Sequence, residues 1–363
     1  MNIEISGAKL SSIVKIGDKI KELSKSTGKQ YLSLNRGVNS VCNIDLTEVV
    51  KNINFNSNEL QVYPPSQGRP ALQNAINQEY FQNKTNSENI YITAGGMSGL
   101  DLTFQTLQFA QILLPAFYWG SYLHILNIRK KQYQFYENYN YILQNIDSLK
   151  NSVVLICEPN NPVGNKYSDD TIFNVIETLN KNNIPVIMDC PYRRVFYNET
   201  DDFYSKMLSY KNVIIVESFS KSIGLSGQRL GFVHTLNNDF NHEFGVRLMY
   251  ATNGINAFSQ MLVEQLLTSE EGKKAVKEFK ATTTEHIKKN INYLRQKKLL
   301  AEDLYVDSEP VGIFAIVNKS EEELLQNRIG SISLSYFVKD KEKYSGYSRI
   351  CVSVHNEEFC SFI

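Results

Sequence analysis

The chain has 363 residues, of which 42% are hydrophobic, and its 38 basic side chains balance 38 acidic ones. A chain of this length can bury a large core and is expected to form two domains. The formal net charge of +0 argues against nonspecific nucleic-acid binding, which needs a basic face, and no apolar run approaches the roughly 20 residues of a membrane span.

The predicted elements begin with an amphipathic helix over about residues 10–25 and a short strand over residues 31–34. Strands and helices then alternate from about residue 45 to residue 250. Apolar runs predict strands at residues 90–93, 112–114, 153–157, 186–189, 213–217 and 230–234. Buried, mostly parallel strands with helical crossovers form a doubly wound sheet, so the predicted fold class is α/β.

The last part of the chain predicts a smaller α+β unit. A long, charged helix pattern over residues 269–300 precedes apolar strands at residues 312–317 and 349–354. We therefore predict residues 1–44 as an N-terminal segment of the small domain. Residues 45–255 form the predicted large domain, and residues 256–363 form the small C-terminal domain.

A glycine-rich turn follows the first strand of the predicted sheet. Gly95, Gly96 and Met97 connect residues 90–93 to a predicted helix. Backbone N–H groups at a helix start bind phosphate, and glycine lets the phosphate approach closely. A Gly-Gly turn by itself is weak evidence for such a site.

Two other strands end in polar residues. The strand at residues 153–157 runs into a turn-rich loop that contains Asn161, and the strand at residues 186–189 ends in Asp189, with Tyr192 three residues later. Open α/β sheets bind ligands at the carboxyl ends of their strands. Taken alone, Asn161 fits an ordinary turn equally well, and Asp189 fits a helix cap.

The most informative stretch covers residues 218–231. It places the amine of Lys221 close to the hydroxyls of Ser218 and Ser220 and to the guanidinium of Arg229. An amine that forms a Schiff base with a carbonyl cofactor, flanked by phosphate ligands, is what pyridoxal phosphate (PLP) chemistry requires. An isolated lysine would more often be a surface residue.

Together, and in this order, these segments resemble the class I/II aminotransferases of PLP fold type I. The resemblance covers most of the chain and includes the Lys-to-Arg spacing of residues 221–229. It implies a large domain with a mostly parallel, doubly wound sheet plus a smaller α+β domain. It also implies a PLP-dependent transaminase (EC 2.6.1.-) that moves an amino group from an L-amino acid to a 2-oxo acid by a ping-pong mechanism.

The resemblance assigns a role to each motif. Lys221 would form the Schiff base and move the substrate α proton, Asp189 would pair with the pyridine nitrogen, and Tyr192 would face the phenolic oxygen beside Asn161. The implied phosphate ligands are Gly95, Gly96, Met97, Ser218, Ser220 and Arg229. The family usually has Ser or Thr at the Met97 position, so this chain lacks one hydroxyl there and keeps the backbone donor.

Two aromatic residues are further cofactor contacts that the resemblance implies. Phe117 lies in the segment whose aromatic residue stacks on the pyridine ring, although Tyr118 and Trp119 beside it leave the register open. Tyr63 matches a tyrosine that contacts the phosphate of the neighbouring subunit. The resemblance therefore implies a homodimer with shared active sites.

Substrate binding is assigned to both ends of the chain. Arg349 resembles the arginine that binds the substrate carboxylate through two parallel hydrogen bonds. Gly37 and Val38 match the segment that crosses the mouth of the active site, and Asn161 lies in the same implied site. The small-molecule partners would be an amino acid and a 2-oxo acid.

Several alternatives stay open at this point. The same kind of site runs C–S β-elimination, decarboxylation or cyclisation in relatives, and a noncatalytic ligand-binding protein is a further alternative. Arg247 would favour an acidic substrate if it faced the site, but it fits a helix-surface arginine better. The aromatic residues 117–119 would suit a hydrophobic substrate side chain instead.

The cysteines and histidines predict no metal site. The five cysteines are scattered and odd in number, which suits a reducing cytosol, so a cytoplasmic location is expected. No cysteine pair has zinc-site spacing, and the five histidines include no HExxH pattern. The N-terminus shows no signal-peptide pattern.

Overall fold

The computed structural model describes residues 1–9, 12–196 and 201–363. Its strands are β1 (Leu32–Ser33), β2 (Ile90–Thr93), β3 (Gln111–Pro115), β4 (Tyr133–Tyr136), β5 (Ser152–Cys157), β6 (Asn165–Lys166), β7 (Val186–Asp189), β8 (Val213–Ser218), β9 (Gly231–His234), β10 (Glu309–Pro310), β11 (Phe314–Val317), β12 (Ile329–Gly330), β13 (Ile332–Ser333) and β14 (Ser348–Cys351).

Its α-helices are α1 (Ser12–Thr27), α2 (Asn58–Gln61), α3 (Pro70–Phe81), α4 (Gly96–Thr106), α5 (Gly120–Ile128), α6 (Tyr139–Gln144), α7 (Asp169–Lys181), α8 (Arg193–Phe196), α9 (Phe203–Met207), α10 (Phe219–Ser222), α11 (Asn238–Thr252), α12 (Ala257–Thr268), α13 (Glu270–Gln296), α14 (Glu321–Gln326) and α15 (Asn356–Phe362). None of the described helices is both long and apolar enough to cross a membrane.

A seven-stranded sheet dominates the part of the chain that the structure describes, with strand order β2-β9-β8-β7-β5-β3-β4. The pairs β3–β4, β3–β5, β5–β7 and β7–β8 are parallel, and β9 runs antiparallel to both β2 and β8. Every residue of β5, β7 and β8 is buried. Such continuous burial is typical of strands covered on both faces, and it confirms the predicted α/β fold with a mostly parallel sheet.

The six strands predicted for this sheet all lie in it, and the sheet contains one strand that was not predicted. This strand, β4, lies at the edge, where Tyr133 and Phe135 are half-buried and Gln134 is exposed. A strand with an open edge does not need a continuous apolar run, so its sequence signal is weak. The first predicted helix corresponds to α1, whereas its predicted start at Leu10 lies outside the described residues.

The register of the sheet brings three strand ends together. In the parallel ladder, Asp189 of β7 pairs with Cys157 of β5 on one side and with Val216 of β8 on the other. The carboxyl ends of β5, β7 and β8 therefore meet at one edge. The loops that carry Asn161, Tyr192 and Lys221 all start from this edge.

Two hydrophobic clusters form the core. The larger one surrounds the seven-stranded sheet, and the smaller one joins β1, β11, β14 and α15 to the second half of α13. Helix α13 contributes Phe279 to the larger cluster and Ile287 to the smaller one. The Phe279 ring also packs on Gly224, where an added Cβ would lie 2.7 Å from the ring. The division at residue 255, which would assign all of α13 to the small domain, stays a prediction.

Candidate active site

A cavity of about 180 Å³ lies at the carboxyl ends of β5, β7 and β8. We call it the central cavity. It is lined by Gly96, Met97, Leu100, Trp119, Tyr122, Cys157, Asn161, Asp189, Pro191, Tyr192, Ser218, Ser220, Lys221, Ser226 and Arg229. Nine of these lining residues were predicted as site residues from the sequence: Gly96, Met97, Asn161, Asp189, Tyr192, Ser218, Ser220, Lys221 and Arg229.

One end of the central cavity is a cradle of hydrogen-bond donors. Gly95 has a φ of 82°, which turns the chain from β2 into α4. A Cβ on Gly95 would lie 2.8 Å from Arg229 Nη2, and a Cβ on Gly96 would lie 3.2 Å from Ser218 Cβ. The two glycines therefore let the guanidinium and the serine approach the start of α4. Helix-start amides beside a guanidinium form a site for a multiply charged anion.

The hydroxyl groups of the cradle are already ordered. Ser218 Oγ donates to Ser220 Oγ at 3.0 Å, and Arg229 Nη1 donates to the Ser226 carbonyl at 2.9 Å. Met97 also belongs to the cradle; it lines the central cavity and is 45% exposed. Its thioether donates no hydrogen bond, so this position contributes a backbone amide alone.

Lys221 lies in α10 and points its amine across the central cavity. The amine donates a hydrogen bond to the Gly37 carbonyl. Burial lowers the pKa of the Lys221 amine, and the positive charges of Arg349 and Arg229 lower it further. An amine with a lowered pKa is more often neutral and therefore a better nucleophile and base at neutral pH.

Asp189 is a buried acid that also lines the central cavity. Burial raises the pKa of its carboxyl to about 7, and a hydrogen bond from the Tyr122 hydroxyl opposes that shift. The carboxyl therefore changes its charge near neutral pH. A buried acid of this kind, lining a cavity, is typical of functional sites.

Asn161 connects two other predicted residues. Its Nδ2 donates to the Tyr192 hydroxyl at 3.1 Å, and its Oδ1 accepts from Arg349 Nη1 at 3.0 Å. Arg349 Nη2 donates to the Asn35 carbonyl at 2.8 Å. Arg349 does not line the central cavity itself but adjoins it through Asn161.

The guanidinium of Arg349 is a buried cation without a carboxylate partner among the described residues. It is sandwiched between the rings of Phe314, at 4.2 Å, and Phe337, at 4.6 Å. Its Nε is buried and has no hydrogen-bond partner among the residues that the structure describes. Burial lowers the pKa of Arg349 to about 10. A buried cation with unused donors is expected to bind an anion.

The segment over residues 37–43 borders a second cavity of about 150 Å³, which shares Ser220, Lys221 and Ser226 with the central one. Val38 lines this second cavity and is 47% exposed. Gly37 lies beside it and accepts the hydrogen bond from Lys221. The segment predicted to cross the mouth of the site therefore lies against the lysine.

The two aromatic residues predicted as cofactor contacts are not among the residues that line the central cavity. Phe117 packs edge-on against Tyr344, with ring centroids 5.2 Å apart, and Trp119 lines the cavity instead. Tyr63 is 83% exposed and lines a surface groove beside Pro64 and Pro65. Within this single chain, Tyr63 is not among the residues that line the central cavity.

Sequence reasoning missed Tyr122, Cys157, Leu100, Pro191 and Ser226, all of which line the central cavity. Trp119 and Tyr122 lie three residues apart where β3 ends and α5 begins. Because β3 is parallel to β5, a search of the first residues after every predicted parallel strand would have found both. Among the described residues, no cluster of three or more His, Cys, Asp or Glu side chains could hold a metal ion.

Comparisons with curated relatives identify aminotransferases. The chain is 27% identical to the aspartate aminotransferase of Pyrococcus horikoshii over 241 residues. The aligned region covers 62% of this chain and 61% of that protein. It is 31% identical over 192 residues to the histidinol-phosphate aminotransferase of Staphylococcus epidermidis, covering 48% of this chain and 51% of that protein. The matched region thus spans between about half and three fifths of the length of these relatives.

Solved structures match the fold over nearly the whole chain. The aspartate aminotransferase from Thermus thermophilus with maleate superposes with a TM-score of 0.83 at 15% identity, covering 100% of this chain and 98% of that one. An archaeal alanine:glyoxylate aminotransferase superposes with a TM-score of 0.80 at 18% identity, covering 97% and 93%. These likenesses confirm the predicted fold.

The model of the family described as "Aminotransferase class I and II" matches residues 29–361. This range includes all the predicted site residues, from Gly37 to Arg349. The chain therefore belongs to the class I and II aminotransferase family.

Proposed function

We propose that this chain is a PLP-dependent aminotransferase that moves an amino group from an L-amino acid to a 2-oxo acid by a ping-pong mechanism. The observation that carries the proposal is the convergence of three groups of different chemistry, one half-buried and two buried. The Lys221 amine and the Asp189 carboxyl line the central cavity, and the Arg349 guanidinium adjoins it. Family membership supports the same reaction.

The residues present fit PLP at each of its polar positions. The cradle of α4 amides, Ser218, Ser220 and Arg229 suits a phosphate, and Gly95 leaves the approach clear because a Cβ there would meet Arg229. Asp189 would hold the ring nitrogen. Asn161 and Tyr192, 3.1 Å apart, would hold the phenolic oxygen. Trp119, rather than Phe117, would cover the ring face.

When bound, PLP supplies an aldehyde that condenses with amines and a ring that withdraws electrons from the substrate α carbon. Lys221 provides the protein amine and then carries the substrate α proton as general base and general acid. Its lowered pKa favours the neutral form that accepts this proton. Asp189, in its ionised form, stabilises positive charge on the ring nitrogen.

Arg349 orients the substrate in this proposal. A substrate carboxylate would supply the anion that the buried guanidinium lacks among the described residues, and the unpaired Nε offers a donor for it. Because Arg349 is held by Asn161 and by the Asn35 carbonyl, the carboxylate would be fixed relative to the cavity. Fixed orientation raises the effective concentration of the reacting groups.

The substrate side chain stays open in this proposal. Arg247 lies on α11 and pairs with Glu243 at 2.5 Å, and it is not among the residues that line the central cavity. Its position fits a surface arginine, so it is no argument for an acidic substrate. The relatives named for aspartate and for histidinol phosphate set two classes to test first.

We also propose a homodimer in the cytoplasm. Three exposed hydrophobic side chains, Val62, Tyr63 and Met97, lie at the groove around Tyr63 or at the central cavity, and exposed apolar groups of this kind favour a protein interface. A second copy would bring its Tyr63 to the phosphate cradle. All five cysteines are free thiols, which suits a reducing compartment.

The test is the absorbance of the purified protein with PLP, followed by single L-amino acids. An aminotransferase converts the yellow cofactor band to the amine form, and a 2-oxo acid restores the band. Lys221→Ala is expected to abolish turnover, at least 10³-fold, because no other group replaces its amine. Lys206 is exposed and pairs with Asp202 at the N-cap of α9, so Lys206→Ala serves as the control with unchanged turnover.

Three outcomes would contradict the proposal. Retained turnover in a folded Lys221→Ala variant would remove the lysine from the reaction. Release of ammonia without a 2-oxo acid would replace transamination with a lyase reaction on the same site. Lack of any response to amino acids, with PLP bound, would favour a noncatalytic binding protein.

A further inference from the structure

Tyr122 is a fully buried side chain that contacts two walls of the central cavity. It lies in the first turn of α5. Its hydroxyl donates a hydrogen bond to Asp189 Oδ2. Its ring meets the Trp119 ring edge to face, with centroids 5.5 Å apart and planes at 87°. One side chain therefore links the acid of the cavity to its aromatic wall.

The Tyr122 hydroxyl favours the ionised form of Asp189, and the other described titratable groups around this carboxyl do not supply a positive charge. Among the described residues, the titratable groups on which the charge of Asp189 acts are Cys157 on β5, Glu217 on β8, Tyr122 on α5, and Cys190 and Tyr192 in the turn after β7. None of these groups is a cation. Tyr122 is the group that donates a hydrogen bond to the carboxylate among the described side chains, and a hydrogen bond to a charged form favours that form.

We propose that Tyr122 is a positioning residue with two tasks. Its hydroxyl keeps Asp189 ionised to a higher degree than burial alone would allow, and its ring fixes the orientation of Trp119. The role of these two residues toward PLP rests on the proposed function, whereas the hydrogen bond and the ring contact belong to the chain itself. Without the Tyr122 hydroxyl, Asp189 would more often be neutral. A neutral Asp189 would not stabilise positive charge on the ring nitrogen of PLP.

The first half of the proposal is tested in the full chain without cofactor. The protein is labelled with ¹³C in its aspartate carboxyl groups, and the infrared band of the protonated acid is followed against pH. Asp189→Asn identifies the band. Tyr122→Phe is expected to raise the midpoint of this band by about one pH unit or more, because a hydrogen bond to a charged group is lost.

A matched control separates the hydroxyl from a general effect on packing. Tyr118 is also buried, and its hydroxyl donates to the Val338 carbonyl at 3.3 Å rather than to Asp189. Tyr118→Phe must leave the midpoint where it is. An unchanged midpoint in Tyr122→Phe, or an equal shift in Tyr118→Phe, would overturn this half of the proposal.

The second half uses tryptophan fluorescence, because Trp119 is the one tryptophan in the sequence. Tyr122→Phe retains the ring contact and is expected to leave acrylamide quenching unchanged. Tyr122→Leu removes the ring and is expected to raise the quenching constant about twofold or more, through greater exposure of Trp119. Equal quenching in the two variants would overturn this half.

The holoenzyme provides a separate readout. With PLP bound, Tyr122→Phe is expected to lower kcat below the Asp189 midpoint more than above it, so the pH profile of kcat moves upward with the infrared midpoint. A uniform loss of kcat at every pH would mark a structural role and contradict the proposal. If the proposed transaminase reaction failed, turnover would be absent in the wild type as well, while the infrared and fluorescence results would still decide the role of Tyr122.

Discussion

Two parts of the site differ in how they are built. At the cradle, Arg229 and Met97 are exposed, Ser220 is half-buried and Ser218 is buried. At what we call the buried end, Asp189 lines the central cavity and Arg349 adjoins it through Asn161. Both are buried, and burial moves the pKa of each in the direction of its neutral form. The cradle is thus a preformed binding surface, whereas the buried end holds charges at a cost in stability. Substitutions at the buried end should therefore change both activity and the free energy of unfolding, whereas substitutions at the cradle should change mainly the affinity for PLP.

The largest effect is expected for Arg349→Met. Loss of the guanidinium should lower kcat/KM for amino acids by about 10²- to 10³-fold, since a buried charge pair with substrate is worth roughly 3–4 kcal/mol. The free energy of unfolding of the cofactor-free protein should stay the same or rise, because an apolar side chain between Phe314 and Phe337 avoids burying a cation. Urea unfolding and steady-state kinetics check the two parts.

The exposed Arg295→Met, which removes a surface pair with Glu302, is the control for this change. It should leave kcat/KM within about twofold and alter unfolding by at most about 1 kcal/mol. A clear loss of stability in Arg349→Met would mean that the buried end is stabilised by its charge, and the contrast between the two parts of the site would fail.

An intermediate effect is expected for Asp189→Asn in the pH dependence of stability. The pKa of Asp189 is raised from 3.8 to about 7 in the folded chain. The folded state therefore binds more protons than the unfolded state between these values, and stability falls as the pH rises from about 4 to about 7. Asparagine removes this contribution, so the variant should lose less stability than the wild type over that range.

Urea unfolding of the cofactor-free proteins at pH 4.5, 5.5 and 6.5 measures the difference. The difference in the free energy of unfolding between wild type and Asp189→Asn should change by about 1–3 kcal/mol between these pH values. Glu158, whose pKa burial raises to about 8, contributes the same slope to both proteins and cancels. Burial also raises the pKa of Glu217 to about 8, and the charge of Asp189 adds to that shift, so the change at Glu217 is part of the effect of Asp189→Asn. Parallel curves would show that Asp189 keeps an ordinary pKa.

The smallest effect is expected at the cradle. Met97→Ser adds a hydroxyl at the start of α4, where the chain has only a backbone donor. One extra hydrogen bond to phosphate should tighten PLP binding by about 2- to 10-fold, with little change in the unfolding of the cofactor-free protein because Met97 is exposed. Equilibrium dialysis with PLP checks the affinity, and Met97→Ala should give no gain.

The sequence predicted the parts of the molecule that depend on local patterns. Apolar runs located six strands of the large sheet, and the resemblance of residues 95–97 and 218–231 to family motifs predicted that the glycine turn, Lys221 and Arg229 share one site. The edge strand β4 was not predicted because only one of its four side chains, Tyr136, is buried. The pairing of Asn161 with Arg349 joins residues 188 positions apart, and such a contact depends on how two hydrophobic clusters meet.

The aromatic run 117–119 illustrates the same limit. All three residues are aromatic, so composition does not indicate which ring enters the cavity. The choice is made by distant contacts, since the Tyr118 amide donates to the Phe337 carbonyl at 3.0 Å and the Phe117 ring packs on Tyr344. These contacts turn Phe117 away and leave Trp119 at the cavity.

Helix α13 links the lysine to the small hydrophobic cluster. With 27 residues it is roughly 40 Å long, and it reaches from Phe279, packed on Gly224, to Ile287 and Leu294 in the smaller cluster. Gly224 follows Lys221 by three residues, and no side chain separates its backbone from the Phe279 ring. Because one continuous helix contacts both the smaller cluster and Gly224, just after α10, a change in the tilt of α13 would move the Phe279 ring against the backbone near Lys221.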